Sequence, residues 1–358
     1  MSTLSADRAR LVDLEAQIVL LEHSPESRSQ NQYSLSELHS QKHRVLERLD
    51  SYKYPVLTLP NEITIEIFMH FLPTYPLCPP LIGLLSPTFL TQICRRWREI
   101  ALGTAALWRA ISLNDHRIPF ERQAHLCNLW LSRSRSFPLS VDYNNSLIEA
   151  QATEILSTLV PQRARWEHIS LRFSISSLPI IEGPMPLLRS LNLYLVNFDL
   201  ITAKVSSLDA PLLRTVVLND NAAGHLTLPW AQLTALTLPG FFPRECVAIL
   251  QHASNLVHCE LKLFDDGVDV PDISLPSLQS LTVTGDAGPG FLETLIVPAL
   301  RDLRVSESLL EPECIETLAA FISKSCCQLQ KLCVEDVAIE SRDSYRDAFP
   351  LITVSFDS

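Results

Sequence analysis

Few residues in this 358-residue chain stand at spacings that perform covalent or metal chemistry. Gly285, Gly288 and Gly290 follow an apolar run, but they read G-x-x-G-x-G with Pro289 among them. A dinucleotide phosphate cradle needs G-x-G-x-x-G opening a helix, so a tight turn is the ordinary explanation. Asp265, Asp266 and Asp269 begin like a calcium loop, yet the later ligands of such a loop are absent, which leaves a solvated turn. The nine cysteines, at positions 78, 94, 127, 246, 259, 314, 326, 327 and 333, form no C-x-x-C pair and no Cys/His group at zinc spacing. Cys326 and Cys327 read as the apolar end of a helix. An odd number without framework spacing suits reduced, buried thiols in the cytoplasm or nucleus. The ten histidines are dispersed, and there is no G-x-S-x-G elbow, Walker loop or H-E-x-x-H. The sequence therefore predicts no catalytic residue, no metal site and no cofactor. Its chemistry is recognition by apolar and hydrogen-bonding side chains.

The elements that would do this begin at residues 59–68 (LPNEITIEIF) and 93–113 (ICRRWREIALGTAALWRAISL). Pro60 suits a first helical turn, where a missing N–H costs nothing. Ile63, Ile67, Phe68 and Phe71 recur at helical spacing, and Ile65, Met69 and Leu72 make that helix apolar on nearly every side. A helix apolar all round must be covered on more than one face, and about fifty residues offer little interior, so the surplus face predicts a partner protein. Phe89, Leu90, Ile93, Cys94, Trp97, Ile100 and Ala101 follow a 3.6 period that predicts one helix ending near Gly103. An ordinary three-helix bundle without a partner is the plain alternative.

This order of residues resembles the F-box: Leu-Pro-x-Glu-Ile, an Ile-Phe pair, then Cys-Arg-x-Trp-Arg. The resemblance implies three short helices that dock on a Skp-type adaptor, and through it on a cullin–RING ubiquitin ligase. Carried over residue by residue, it implies adaptor contacts at Leu59, Pro60, Ile63, Ile67, Ile93, Cys94 and Trp97. The departure is a Pro-rich insertion, residues 73–87 (PTYPLCPPLIGLLSP), which leaves the path of that loop open. Such connections, and a helical arm ahead of them, look like fungal F-box-like sequences.

In that arm Leu11, Leu14, Ile18 and Leu21 stand at a/d spacing, and after a polar break over residues 23–32 so do Leu35, Leu38, Val45 and Leu49. Each run spans about two heptads, short of a firm coiled coil. A helical hairpin is expected over residues 1–54, and self-association through residues 11–49 is the alternative. Pro55 disfavours helix at Tyr54, so the arm should stop there. The F-box-like segment is then 55–113.

From Trp166 one phrase recurs: apolar, x, x, apolar, x, apolar. It appears as WEHISL, LRSLNL, LRTVVL, LTALTL, LVHCEL, LQSLTV, LRDLRV, LQKLCV and LITVSF, at steps of 22, 25, 20, 23, 22, 22, 29 and 22 residues. Period and phrase resemble a degenerate leucine-rich repeat over residues 166–358. The implied fold is an α/β right-handed solenoid, with an α/β open sheet as the structural alternative. Pro186, Pro211, Pro276, Pro298 and Pro350 precede phrases and should mark where strands start. Return helices are expected over residues 149–159, 244–254 and 311–326, with 285–291 irregular. Asn197 and Asn221 are the candidate ladder asparagines. Residues 114–165, with a helix ending near Ser134 and Leu139, Val141 and Tyr143 alternating, should form an irregular linking and capping unit. The last phrase stops just before Ser358, so either the chain is truncated or its last unit is exposed.

In such a repeat the positions between the apolar letters line the binding face. That implies Arg172, Tyr194, Asn219, His258, Glu260, Lys262, Asp302, Arg304, Lys331 and Glu335 as substrate contacts, with His258 to Glu335 the more specific patch. Cross-strand charge pairing on a wet surface is the competing reading of the same residues. Residues 141–358 hold 14 basic and 27 acidic side chains within a chain of net charge −11. This argues against nucleic acid and anionic membrane as partners. The most apolar window, residues 70–90, carries prolines that exclude a membrane helix, and the first ten residues lack a signal peptide's apolar core. Taken with these features, the resemblance to the F-box and to leucine-rich repeats implies a non-catalytic adaptor carrying an unknown protein substrate to the ligase, in the cytoplasm or nucleus. The alternative is an F-box and repeat scaffold working outside a ligase.

Overall fold

The computed structural model describes residues 4–23, 28–51, 55–114, 118–144, 149–196, 206–265, 267–268, 270–285, 290–338 and 340–357. Residues 1–67 and 68–358 form two compact units.

In the first unit α1 (Leu4–Glu22) and α2 (Arg28–Ser51) lie antiparallel. Arg48 bonds Asp7 at 2.8 Å and Lys42 bonds Glu15 at 2.9 Å. Leu14, Ile18 and Val45 are buried between them, while Leu11, Leu21, Leu35, Leu38 and Leu49 are half-buried. The helix α2 starts inside the expected polar break, because no proline or glycine follows Pro25 there; Tyr54 lies outside the described residues. A short 3-10 turn (Pro55–Thr58) leads to α3 (Asn61–Phe71).

The second unit takes up the end of α3, then α4 (Pro87–Ile93), α5 (Arg95–Gly103), a 3-10 turn (Ala105–Trp108) and α6 (Phe120–Arg133). The expected single helix over 89–103 is two. Cys94 is extended (φ −156°, ψ 167°), and its Sγ accepts from the Trp97 backbone N–H, capping α5. Ser86 caps α4 in the same way, with Pro87 at its first position. A capping side chain in the middle of an apolar period splits the helix without changing which residues face inward, so periodicity could not reveal the break.

The rest is mixed α/β, built on one parallel sheet of eleven strands in sequential order. These are β1 (Ala110–Ser112), β2 (Leu139–Asn144), β3 (Trp166–Ser174), β4 (Ser190–Val196), β5 (Thr215–Leu218), β6 (Ala235–Phe241), β7 (His258–Leu263), β8 (Ser280–Gly285), β9 (Asp302–Ser306), β10 (Lys331–Glu335) and β11 (Thr353–Asp357). From β4 onward each phrase pairs in phase with the next. Leu191, Val216, Leu236, Cys259, Leu281, Leu303 and Leu332 make one row across the sheet. All are at least 96 % buried, so each large one contributes about 1.5–3 kcal/mol by leaving water. The row weakens at the far edge, where Val354 and Phe356 are half-buried. Strand β2, within residues 114–165, and β1, at the end of the F-box-like segment, extend the first edge of this sheet.

The phrase prolines sit one step earlier than expected. Pro186, Pro211, Pro276 and Pro298 each take the second position of a turn closed by an i→i+3 bond, as in Leu188 N–H to the Met185 carbonyl at 3.1 Å. A fixed φ near −65° favours that position, and proline's missing N–H is not needed there. Short parallel strands run ahead of some of these turns, as at Ile273–Ser274 beside Leu295–Ile296. The return helices are α7 (Glu149–Leu159), α8 (Asp220–Gly224), α9 (Pro243–Leu250), α10 (Cys314–Ser325) and α11 (Arg342–Ala348). Helix α9 stops four residues before the expected Ser254, and α10 starts three after the expected Glu311. Gly285 is explained by close approach: at φ +102° a Cβ there would lie 2.2 Å from the Leu263 carbonyl oxygen on β7. Gly288, Pro289 and Asp286 lie outside the described residues, as do Asp266, Asp269 and Asn197.

Candidate recognition surfaces

In the first unit, the Pro60 carbonyl accepts from both the backbone N–H and Oγ1 of Thr64, at 3.1 and 3.0 Å, so Pro60 caps α3 instead of opening it. Thr64 is buried, while Ile63 and Ile67, four residues apart on one side of the helix, stay 50 % and 41 % exposed. Leu59 is half-buried and Pro60 exposed. Two isoleucines at i, i+4 with so much area in water are the unsatisfied apolar face that the sequence anticipates.

In the second unit Ile93 is 49 % exposed at the end of α4. Cys94 and Trp97 are half-buried. Trp97 is largely a core residue: its ring meets Phe68 edge-on at 4.9 Å, and its indole N–H is buried without a hydrogen-bond partner. Phe71 and Phe89 stack at 5.9 Å beside it.

The insertion between α3 and α4 lies against the exposed face of β2 and β3. Tyr75 donates its O–H to Glu167 Oε2 at 2.7 Å, and burial, with that bond, holds the phenol protonated. The Arg109 guanidinium lies 3.8 Å from the Tyr75 ring centre, and the His168 ring meets it edge-on at 5.5 Å. Ser140 donates to the Pro76 carbonyl at 2.6 Å and pairs with Cys78 Sγ at 3.3 Å. Burial pushes the Cys78 thiol up to about 11, which keeps it unreactive. Removing only the phenol oxygen tests this anchor. Tyr75→Phe should cost about 1–2 kcal/mol locally and raise amide hydrogen exchange at residues 74–78, while exchange in β7–β9 stays unchanged.

Further along the strand face the charges meet one another. Arg304 bonds Glu335 and Asp357, each at 2.7 Å, and Lys331 reaches Asp302 at 3.8 Å. The parallel register sets these neighbours side by side: Asp302 opposite Lys331, and Glu335 opposite Asp357. His258, Glu260 and Lys262 are exposed on β7. Arg172 is exposed and stacks 4.7 Å over the Tyr194 ring. Asn219 does not belong with them. It is 96 % buried at the end of β5, where its amide accepts from Leu195 N–H at 2.9 Å and donates to the Leu195 carbonyl at 2.8 Å. Its Oδ1 also caps α8 through Ala222 N–H. The asparagine that bonds a neighbouring strand's backbone here is Asn219, two positions before the candidate Asn221, whose own carbonyl pairs with His225 Nδ1. Asn219→Ala should cost about 2–3 kcal/mol, because two buried backbone groups lose their partner; a denaturant titration followed by circular dichroism reads this.

Among the described residues no group of His, Cys, Asp and Glu could hold a metal, and no helix is long and apolar enough to cross a membrane. The thiols of Cys127 and Cys259 are pushed up to about 12 by burial alone or chiefly by burial. Residues 56–114 match the F-box-like family. No curated protein matches the chain. F-box domains generally bind Skp-type proteins in cullin–RING ligases and are typically non-catalytic, so this domain indicates a ubiquitin-ligase adaptor in general.

Proposed function

We propose that the chain is a non-catalytic adaptor. Its F-box-like domain binds a Skp-type subunit of a cullin–RING ligase, and the exposed strand face of its sheet holds a protein substrate for ubiquitin transfer. The observation that carries this is the pair Ile63 and Ile67, an apolar helix face left in water within a domain whose family binds such a partner. Leu59, Pro60 and Ile93, whose side chain is exposed, are further contacts carried over from the family's motif. Cys94 caps α5 and Trp97 packs on Phe68. The sheet is a degenerate leucine-rich-repeat solenoid, right-handed as parallel crossovers are, whose strand face offers exposed polar side chains from β3 to β10. Catalysis belongs to other subunits, and this chain supplies proximity. Such a protein works in the cytoplasm or nucleus. The arm is read as a hairpin that buries Leu14, Ile18 and Val45 within itself, with self-association through residues 11–49 as the alternative.

Co-purification tests it. The full chain, a Skp-type subunit and a cullin, mixed pure, should elute together, and omitting the Skp-type subunit should release the cullin. A chain that retains the Skp-type subunit but never the cullin would be a scaffold outside the ligase.

A further inference from the structure

We infer that the substrate site lies in the groove between the insertion and strands β2–β4, and that it takes an extended peptide segment carrying a carboxylate side chain; this rests on the substrate-carrying reading above. The insertion forms one wall, with Pro76 and the 66 % exposed Leu77 beside the floor strands. The depression under that wall holds about 220 Å³ and includes Ser170 and Asn192 in its floor. A second depression of about 130 Å³ shares those two residues and ends at Arg172 and Tyr194. The two are thus one groove across three strands. At the ~4.8 Å strand spacing it spans about 10 Å, the length of about three extended residues.

Charge settles the occupant. Among the described residues no carboxylate is paired to Arg172, which lies over the Tyr194 ring, whereas the charges of Arg304 and Lys331 are already matched. Burial pushes His168 down, so it adds no second cation at neutral pH. Asp142, under the wall, is engaged by Asn114 and Ser170. One guanidinium lying over a ring matches one carboxylate in bidentate fashion. A phosphate dianion would remain half-neutralised near Asp142, so the groove fits Asp or Glu. Asn192, exposed on β4, lines both depressions and offers an amide that can bond a peptide backbone or the same carboxylate. Leu77 offers contact to an apolar side chain a few residues away.

The test pans a displayed library of random dodecapeptides on the full chain alone. The recovered peptides should contain Asp or Glu, and changing that residue to Asn or Gln should weaken binding about tenfold or more. On Arg172→Gln the same change should matter less than about twofold, whereas Arg304→Gln should behave as wild type. Leu77→Asp, at an exposed position that leaves the fold intact, should weaken the same peptides about fivefold or more. Recovery of no peptide, an acid preference that survives Arg172→Gln, indifference to Leu77→Asp, or tighter binding when phosphoserine replaces the acid would each overturn the assignment. Because the ligase is absent, failure to bind a Skp-type subunit leaves this result standing. Ubiquitin transfer to a substrate unaffected by Arg172→Gln would sink it while leaving the adaptor role intact.

Discussion

Glu307→Ala should destabilise the 68–358 unit by about 3–5 kcal/mol, the largest loss expected from any single substitution considered for this chain. Glu307 is 1 % exposed, in the 3-10 turn that follows β9. Its Oε1 accepts from the Tyr345 O–H at 2.9 Å and the Glu340 N–H at 3.1 Å, and its Oε2 accepts from the Ala338 N–H. These donors come from the segment that leads from β10 through α11 to β11. One carboxyl thus ties the last two strands to the turn before them. Tyr345 is itself fully buried, and burial and then its bond to Glu307 keep its phenol protonated. Alanine leaves the buried Tyr345 O–H unpaired beside a void, at about 1–3 kcal/mol for the unpaired group, and also removes the two backbone bonds from the exposed Ala338 and the half-buried Glu340, at about 0.5–1.5 kcal/mol each. Glutamine keeps the shape and one acceptor, so it should fall between alanine and wild type. Denaturant unfolding followed by circular dichroism measures both. A loss below about 1 kcal/mol for alanine would mean that the C-terminal strands hold without this tie.

The second large effect is on binding. The double variant Ile63→Asp/Ile67→Asp should weaken binding of a Skp-type subunit at least about 100-fold, since two apolar contacts are lost and two charges face an apolar surface. Because both side chains are already half in water, the variant should keep the wild-type stability to within about 1 kcal/mol. Trp97→Ala would be a poorer probe. That ring packs on Phe68, so its loss would mix damage to the core with damage to the contact.

The repeat was legible because its period is written in leucines: an alternating row that must be buried fixes strand, register and face together. From β3 to β11 each phrase became a strand in the expected order. The helix face of α3 was legible for the same reason, as surplus apolar area. What the sequence hid were polar side chains whose partners are distant in the chain. Asn219 reads as a face residue by alternation, yet it ends β5 and turns inward to a backbone 24 residues away. Glu307 looks like one more surface acid until α11 brings Tyr345 to it from 38 residues on. The path of the insertion was equally hidden, because its anchor Tyr75 depends on Glu167, 92 residues later. The charged patch around Arg304 shows another limit: alternation puts its residues on the sheet, but only the register reveals that they pair with one another.

The central claim is that the exposed helix face of α3 serves a Skp-type partner. Light scattering on the mixture of the full chain with a purified Skp-type subunit, as it elutes from a sizing column, tests this most directly. The account predicts a single species with the summed mass of one copy of each, which separates into two peaks when Ile63→Asp/Ile67→Asp replaces the wild type. Two separate peaks from the folded wild-type chain would contradict it.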